Sequence, residues 1–192
     1  MSTVSSALMT AEEFFEWANR PENAQARMHV HRGRVFPLSP PSPVRLAVTS
    51  LLSDYVIRRG KGEVAWQAEG VVFDRDPLTV FMPDVMLFHQ PGDHDPFPPR
   101  FTTAIPTLMV EVIEPWWSGA TLDRAWDAIR RGVGEVWHLI PDERSLIRHQ
   151  PNRNPKVFNE SDDLTGNGVL PDFRCKVADL FTLPGQQPPP AS

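Results

Sequence analysis

Hydrophobic and polar positions change period along this chain at its turn-forming residues, and the blocks between them read as alternating helices and strands. Thr10 and Glu13 form a T-x-x-E capping pattern ahead of Phe14, Phe15 and Trp17, which predicts a short amphipathic helix that NRPENAQ breaks. RMHVHRGRVFPL then alternates on either side of Arg32-Gly33, the pattern of a β-hairpin whose glycine takes the positive φ of the turn, with His29 and His31 on one face. Ser42 and Pro43 stand as N-cap and first helical residue ahead of Val44, Val48, Leu51, Leu52 and Tyr55, and Gly60 closes that helix. From Glu63 to Phe88 the runs EVAWQ, GVVF, LTVF and DVMLF, parted by Gly, Asp and Pro, read as a meander of strands. His89 to Pro106 reads as loop, and TLMVEVIEPWW, from Thr107, opens as a buried strand. After Pro115 a helix carries Leu122, Trp126, Ile129 and Val133 on one stripe, and EVWHLI and SLIRH follow as strands joined at Pro141-Asp142. The expectation is an α/β (α+β) domain over residues 1–183, a mixed sheet flanked by helices, with a disordered tail over 184–192.

Composition narrows the function classes. At 192 residues, 41% hydrophobic, the chain fills one core, which argues for a single domain. No stretch approaches the ~20 apolar residues of a membrane span, and the start MSTVSSALMT lacks the order of a secretion signal, so a cytoplasmic protein without a membrane partner is expected. Cys175 stands alone, so there is neither a disulfide framework nor a cysteine metal site; it reads as a small buried hydrophobe. A formal net charge of -5 argues against coating nucleic acid by bulk attraction, although a local basic cleft is compatible with it. Lysine occurs only at positions 61, 156 and 176, so arginine supplies nearly all the cations. No P-loop, G-x-S-x-G elbow or dinucleotide fingerprint is present.

The candidate chemistry lies in two acids. On an alternating strand Met109, Glu111 and Ile113 face one way and Leu108, Val110 and Val112 the other, so Glu111 is the one polar group on either face. An ionised carboxylate out of water has to be paired, protonated, bound to a cation or set at the lip of a cleft. Asp84 poses the same problem at the head of DVMLF. Two acids on neighbouring strands suit a hard divalent cation, which polarises a phosphodiester and acidifies a bound water. The competing reading has Asp84 capping a turn and Glu111 paired with an arginine.

MTAEEFFEW, RGRVFPLSPPSP, MPDVMLF, PTLMVEVIEP, RRGVGEVWHLIPDE and LPDFRCKVADLF stand in the order of the landmarks of the Uma2 family, and from Met9 to Phe181 the chain resembles that restriction-endonuclease family of the PD-(D/E)xK nuclease superfamily. The resemblance implies a restriction-endonuclease-like fold, a homodimer, and Mg- or Mn-dependent hydrolysis of DNA. The metal would be held by Asp84, Glu111 and the main-chain carbonyl of Val112. The lysine that orients the attacking water comes, in that family, from the following helix, and its position falls on Arg124. Arginine does not deprotonate near neutrality, and its wide guanidinium orients a water differently; it could still stabilise a phosphorane-like charge. On a helical wheel Arg124 lies off the apolar stripe and is expected at the solvated surface. His29 stands where the family has a glutamate, Ala128 where it has a tyrosine, and Glu114 where it has a serine. Two functions follow: a metal-dependent endonuclease impaired at Arg124, or an inactive nuclease fold that serves as a DNA-binding or protein-interaction module.

Other candidates carry less. His89, Asp93, His94 and Asp95 offer nitrogen and oxygen ligands but match no zinc spacing. Trp116 and Trp117 could stack on bases or pack against apolar surface. Arg130 and Arg131 could touch phosphate or simply be solvated.

Overall fold

Thr10 starts the first helix as its pattern predicts. Its hydroxyl accepts the Glu13 N–H at 3.2 Å while the Glu13 carboxylate accepts the Thr10 N–H at 2.9 Å, and α1 (Ala11–Ala18) follows. The computed structural model describes residues 8–24, 26–38, 42–60, 62–66, 70–89, 101–113, 120–183 and 185–186. Glu114, Trp116 and Trp117, the Asp93–Asp95 cluster and most of the 184–192 tail lie outside them.

The hairpin is β1 (Met28–His31) and β2 (Arg34–Pro37). Arg32 and Gly33 both take positive φ, 52° and 76°, as a two-residue turn of this twist requires. A Cβ on Gly33 would stand 2.9 Å from the Leu8 Cβ, so any other residue is strained there on space as well as on φ. In α2 (Val44–Arg59) the Ser42 hydroxyl accepts the Val44 N–H at 3.4 Å, and Gly60, at φ 64°, ends the helix in a left-handed cap. Val48, Leu52 and Tyr55 are the buried stripe of that helix.

The strands that follow are not a meander. β3 (Glu63–Trp66), β4 (Gly70–Arg75), β5 (Leu78–Phe81) and β6 (Val85–Phe88) are split between two sheets. β4 and β5 pair with each other and join the hairpin and β7 (Phe101–Thr102) in the order β2-β1-β5-β4-β7. β3 and β6 pair and join β8 (Leu108–Val112), β9 (Glu135–Ile140), β10 (Ser145–His149) and β11 (Lys156–Phe158) in the order β11-β10-β9-β8-β6-β3. α3 (Ala120–Arg130) lies in the connection between β8 and β9, which run parallel. β12 (Asp163–Thr165) and β13 (Arg174–Lys176) form a separate pair. The expected single mixed sheet is therefore two sheets, each with one parallel pair among antiparallel ones. β7 lies inside the segment read as loop: a two-residue strand has no periodicity to display, and Phe101 is fixed by edge contacts to Phe14 and Phe15.

Alternation along the second sheet assigns its two faces. Leu108, Val110, Trp137, Leu139 and Leu146 pack with α2, and Met86, Met109 and Val136 pack with Ala125, Ala128 and Ile129 of α3. A third cluster holds α1 against the first sheet through Phe14, Val30 and Val80. The chain passes from one sheet to the other across Met82, Pro83 and Asp84, all buried, between the end of β5 and the start of β6. That crossing is where the site lies.

Candidate functional site

Asp84 sits at the crossing with its backbone N–H on the Val110 carbonyl at 2.9 Å. Its Oδ2 accepts the Val112 N–H at 2.8 Å, which closes the end of β8 onto the head of β6. Its Oδ1 accepts from Nη2 of Arg27 at 2.9 Å, in a pair whose two side chains are 8% and 10% exposed. Arg27 also donates to the Met82 carbonyl, at 3.4 Å, so the residue just before β1 grips both ends of the Met82–Asp84 crossing.

Glu111 is buried on the α3 side of β8, and burial pushes its carboxyl up from the ordinary range; Arg124 opposes that rise and the nearby Asp84 charge adds to it. His29 answers its Oε1 from 3.5 Å. The tautomer follows from the other ring nitrogen: Nδ1 accepts the Met82 N–H at 3.0 Å, so the proton is on Nε2 and points at the carboxylate. Burial, then Arg124 and Arg27, hold the His29 pKa well below 6.5, and the ring is neutral. On the other side β9 places His138 opposite Glu111 in parallel register, Nε2 3.8 Å from Oε2. His138 Nδ1 meets His149 Nε2 of β10 at 3.1 Å. A carboxylate only accepts, so the arrangement that turns the His138 N–H toward Glu111 has His149 donating to Nδ1.

Arg124 is not at the surface. It is 2% exposed, with Nη2 3.5 Å from Glu111 Oε2, because α3 buries a wider arc than its apolar stripe: Ala125, Ala128 and Ile129 on one flank, Arg124 and Asp127 on the next. Trp126, read as part of the stripe, is only half-buried. Asp127 faces the hairpin, its Oδ2 3.2 Å from His31 Nε2 and its Oδ1 2.6 Å from Arg131 Nη1, and Arg131 continues to Asp74 on β4. Arg131 is thus a tie between α3 and the first sheet.

The folding brings Asp84, Glu111, Val112 and Arg124 into one locus, together with Arg27, His31, Asp127, His138 and His149, which the sequence reading did not assign. Asp84 and Glu111 face Arg27 and Arg124, so two negative charges are matched by two positive ones around neutral imidazoles. A hard divalent cation needs oxygen ligands turned toward it rather than toward other cations, and a local surplus of negative charge. Both Asp84 oxygens already accept hydrogen bonds, and both Glu111 oxygens face N–H donors. As arranged, these donors do not fit magnesium or manganese, and among the described residues no group of three or more His, Cys, Asp or Glu is placed to hold a metal. Val112 serves the locus through its N–H.

A family model described as "Putative restriction endonuclease", Uma2, matches residues 11–178. The chain belongs to the Uma2 family. Among solved structures, this Uma2 protein is similar to one described as a putative nuclease belonging to DUF820 from Anabaena variabilis, at 16% identity and a TM-score of 0.73, covering 90% of this chain and 97% of that one. That likeness shows that the two chains share a fold over most of their length. No curated protein matches the chain. No helix of the Uma2 protein, among its described residues, is long and apolar enough to cross a membrane.

Breaking the buried pair from one side takes from Asp84 the guanidinium hydrogen-bonded to it, so Arg27→Ala is expected to lower stability by about 3–5 kcal/mol, while Arg27→Met with Asp84→Asn recovers most of that loss; urea denaturation of the two variants measures it. A pH dependence follows from the histidines. His29, His31, His138 and His149 all have pKa values lowered from 6.5, chiefly by burial. The unfolded chain therefore binds protons near pH 6.5 that the folded chain refuses, and stability falls as pH drops through that value. Each histidine that stays neutral contributes a slope of about 1.4 kcal/mol per pH unit. Urea midpoints between pH 8 and pH 5.5, roughly the range in which free histidine titrates, are expected to fall, and a flat profile contradicts the neutral assignment.

Proposed function

We propose that this Uma2 protein is a nuclease-fold DNA-binding protein in which the phosphodiesterase centre has been exchanged for an internal ion-pair network, so that the chain does not cleave DNA with magnesium. In this reading Asp84, Glu111 and Val112 stand at the metal-holding positions of the fold and Arg124 at the position of the water-orienting lysine. The observation that carries it is the pairing of the acids: Arg27 on Asp84 at 2.9 Å and Arg124 beside Glu111 at 3.5 Å. A divalent ion would have to displace both guanidiniums from oxygens it needs, breaking two buried pairs at a cost of several kcal/mol. His29 adds to the obstacle, because it presents an N–H where a metal site needs an oxygen. A guanidinium is not a base near neutrality, so an arginine at this position does not supply the proton acceptor for a water. The family and the nuclease-like neighbour support DNA as the class of partner.

The test pairs the chain with a variant designed to reopen the centre: Arg27→Ala, His29→Glu and Arg124→Lys together, checked for folding by circular dichroism. The unaltered chain is expected to give no heat on titration with magnesium or manganese and no nicking of supercoiled DNA. The triple variant is expected to gain metal heat. Metal binding and nicking by the unaltered chain, both abolished by Glu111→Ala, would show instead a working metal-dependent nuclease.

A further inference from the structure

Outside the acid centre, α3 turns a different surface to solvent. A groove of about 580 Å³ lies between α3 and the turn joining β10 to β11, lined by Trp126, Arg130, Asn152, Arg153 and Asn154 among others. Arg153, Asn152 and Asn154 are exposed, and the Arg130 side chain is 65% exposed although its guanidinium reaches Asp127 at 3.3 Å. Among the described residues that line the groove there is no carboxylate, in a chain whose net charge is -5, although Asp127 reaches Arg130 from behind and Glu135 lies within electrostatic reach of Arg153. The groove beside the hairpin also has two arginines, Arg32 and Arg34, but Asp123 stands among them. Of these two grooves, charge therefore favours the first as complementary to an anion.

Its aromatic member narrows the anion. Trp126 is half-buried, its ring edge-on to His149 at 5.7 Å between centroids. Guanidiniums beside an indole are the combination by which proteins take a nucleic-acid strand, cations on the phosphates and a ring face on a base. A half-buried indole reaches the face of a base only where bases are unstacked, which favours a single strand over a duplex. Trp126 also connects to the acid centre through buried contacts, since it packs against His149, His149 meets His138 at 3.1 Å, and His138 faces Glu111 at 3.8 Å.

We propose that this groove binds single-stranded DNA, with phosphates on Arg130 and Arg153, a base against Trp126, and Asn152 and Asn154 as hydrogen-bonding partners. The proposal rests on the DNA-binding reading above and gives it a surface. The test is titration of a short fluorescein-labelled oligothymidylate into the full chain at low salt with EDTA, which keeps cleavage out of the measurement. The chain is expected to bind it, and more tightly than a duplex of the same length. Arg130→Ala with Arg153→Glu is expected to weaken binding by about tenfold or more and to reduce the salt slope by about two. Trp126→Phe is expected to remove part of the intrinsic fluorescence change on binding; thermal melts confirm that the variants fold. Unchanged affinity in the double variant, with the unaltered chain still binding, overturns the groove and leaves DNA binding intact. Absence of binding by the unaltered chain overturns DNA binding itself.

Discussion

A carboxylate on the inner face of a buried strand has to be answered by a cation, a proton or a set of donors, and the centre of this protein is built around that demand at Glu111. Burial raises its pKa, and Arg124, His29 and His138 converge on it from α3, the hairpin and β9. Each of those groups is fixed by something else. His29 is held through Nδ1 by the Met82 N–H, His138 by His149, and Arg124 by its place on a helix whose alanines pack against the sheet. The same imidazole and the neighbouring Arg27 tie the hairpin to the crossing between the two sheets, so electrostatics at the site and the joining of the sheets are one arrangement.

On the proposed reading, that arrangement lets a nuclease-like fold be kept while the chemistry of its centre changes. The likeness to a solved nuclease-like structure at 16% identity concerns the path of the backbone, and the backbone does not determine which ion the centre favours. On that reading a lysine is exchanged for Arg124 and a glutamate for His29, and both exchanges leave the strand and helix positions in place. They replace a group that can share a water with one that fills the space beside Glu111, and an oxygen with an N–H.

Much of this was legible in the sequence where the signal is local. The T-x-x-E cap, the Arg32-Gly33 turn and the Gly60 stop each depend on a few adjacent residues, and each folds as its chemistry requires. Glu111 and Asp84 were visible because a charge in an apolar strand is conspicuous. His138 in EVWHLI and His149 in SLIRH carried the same signal, and reading them alongside Glu111 would have revealed the cluster. Arg27 was not legible, because its partner lies 57 residues away and nothing near it marks a buried cation. The two-sheet division was hidden for the same reason: β3 and β6 pair across β4 and β5, a choice made by long-range packing. Arg124 misled because a helical wheel ranks faces by hydrophobicity, whereas this face is selected by the carboxylate beneath it.

The central claim is that arginine stands where a cation would otherwise be held. Crystals grown with manganese, and an anomalous difference map at the manganese edge, address it without reference to activity. The account predicts no peak between Asp84 and Glu111, with Arg27 still on the Asp84 carboxylate and Arg124 still beside Glu111. A peak bridging the two acids, with either guanidinium swung away, would contradict it.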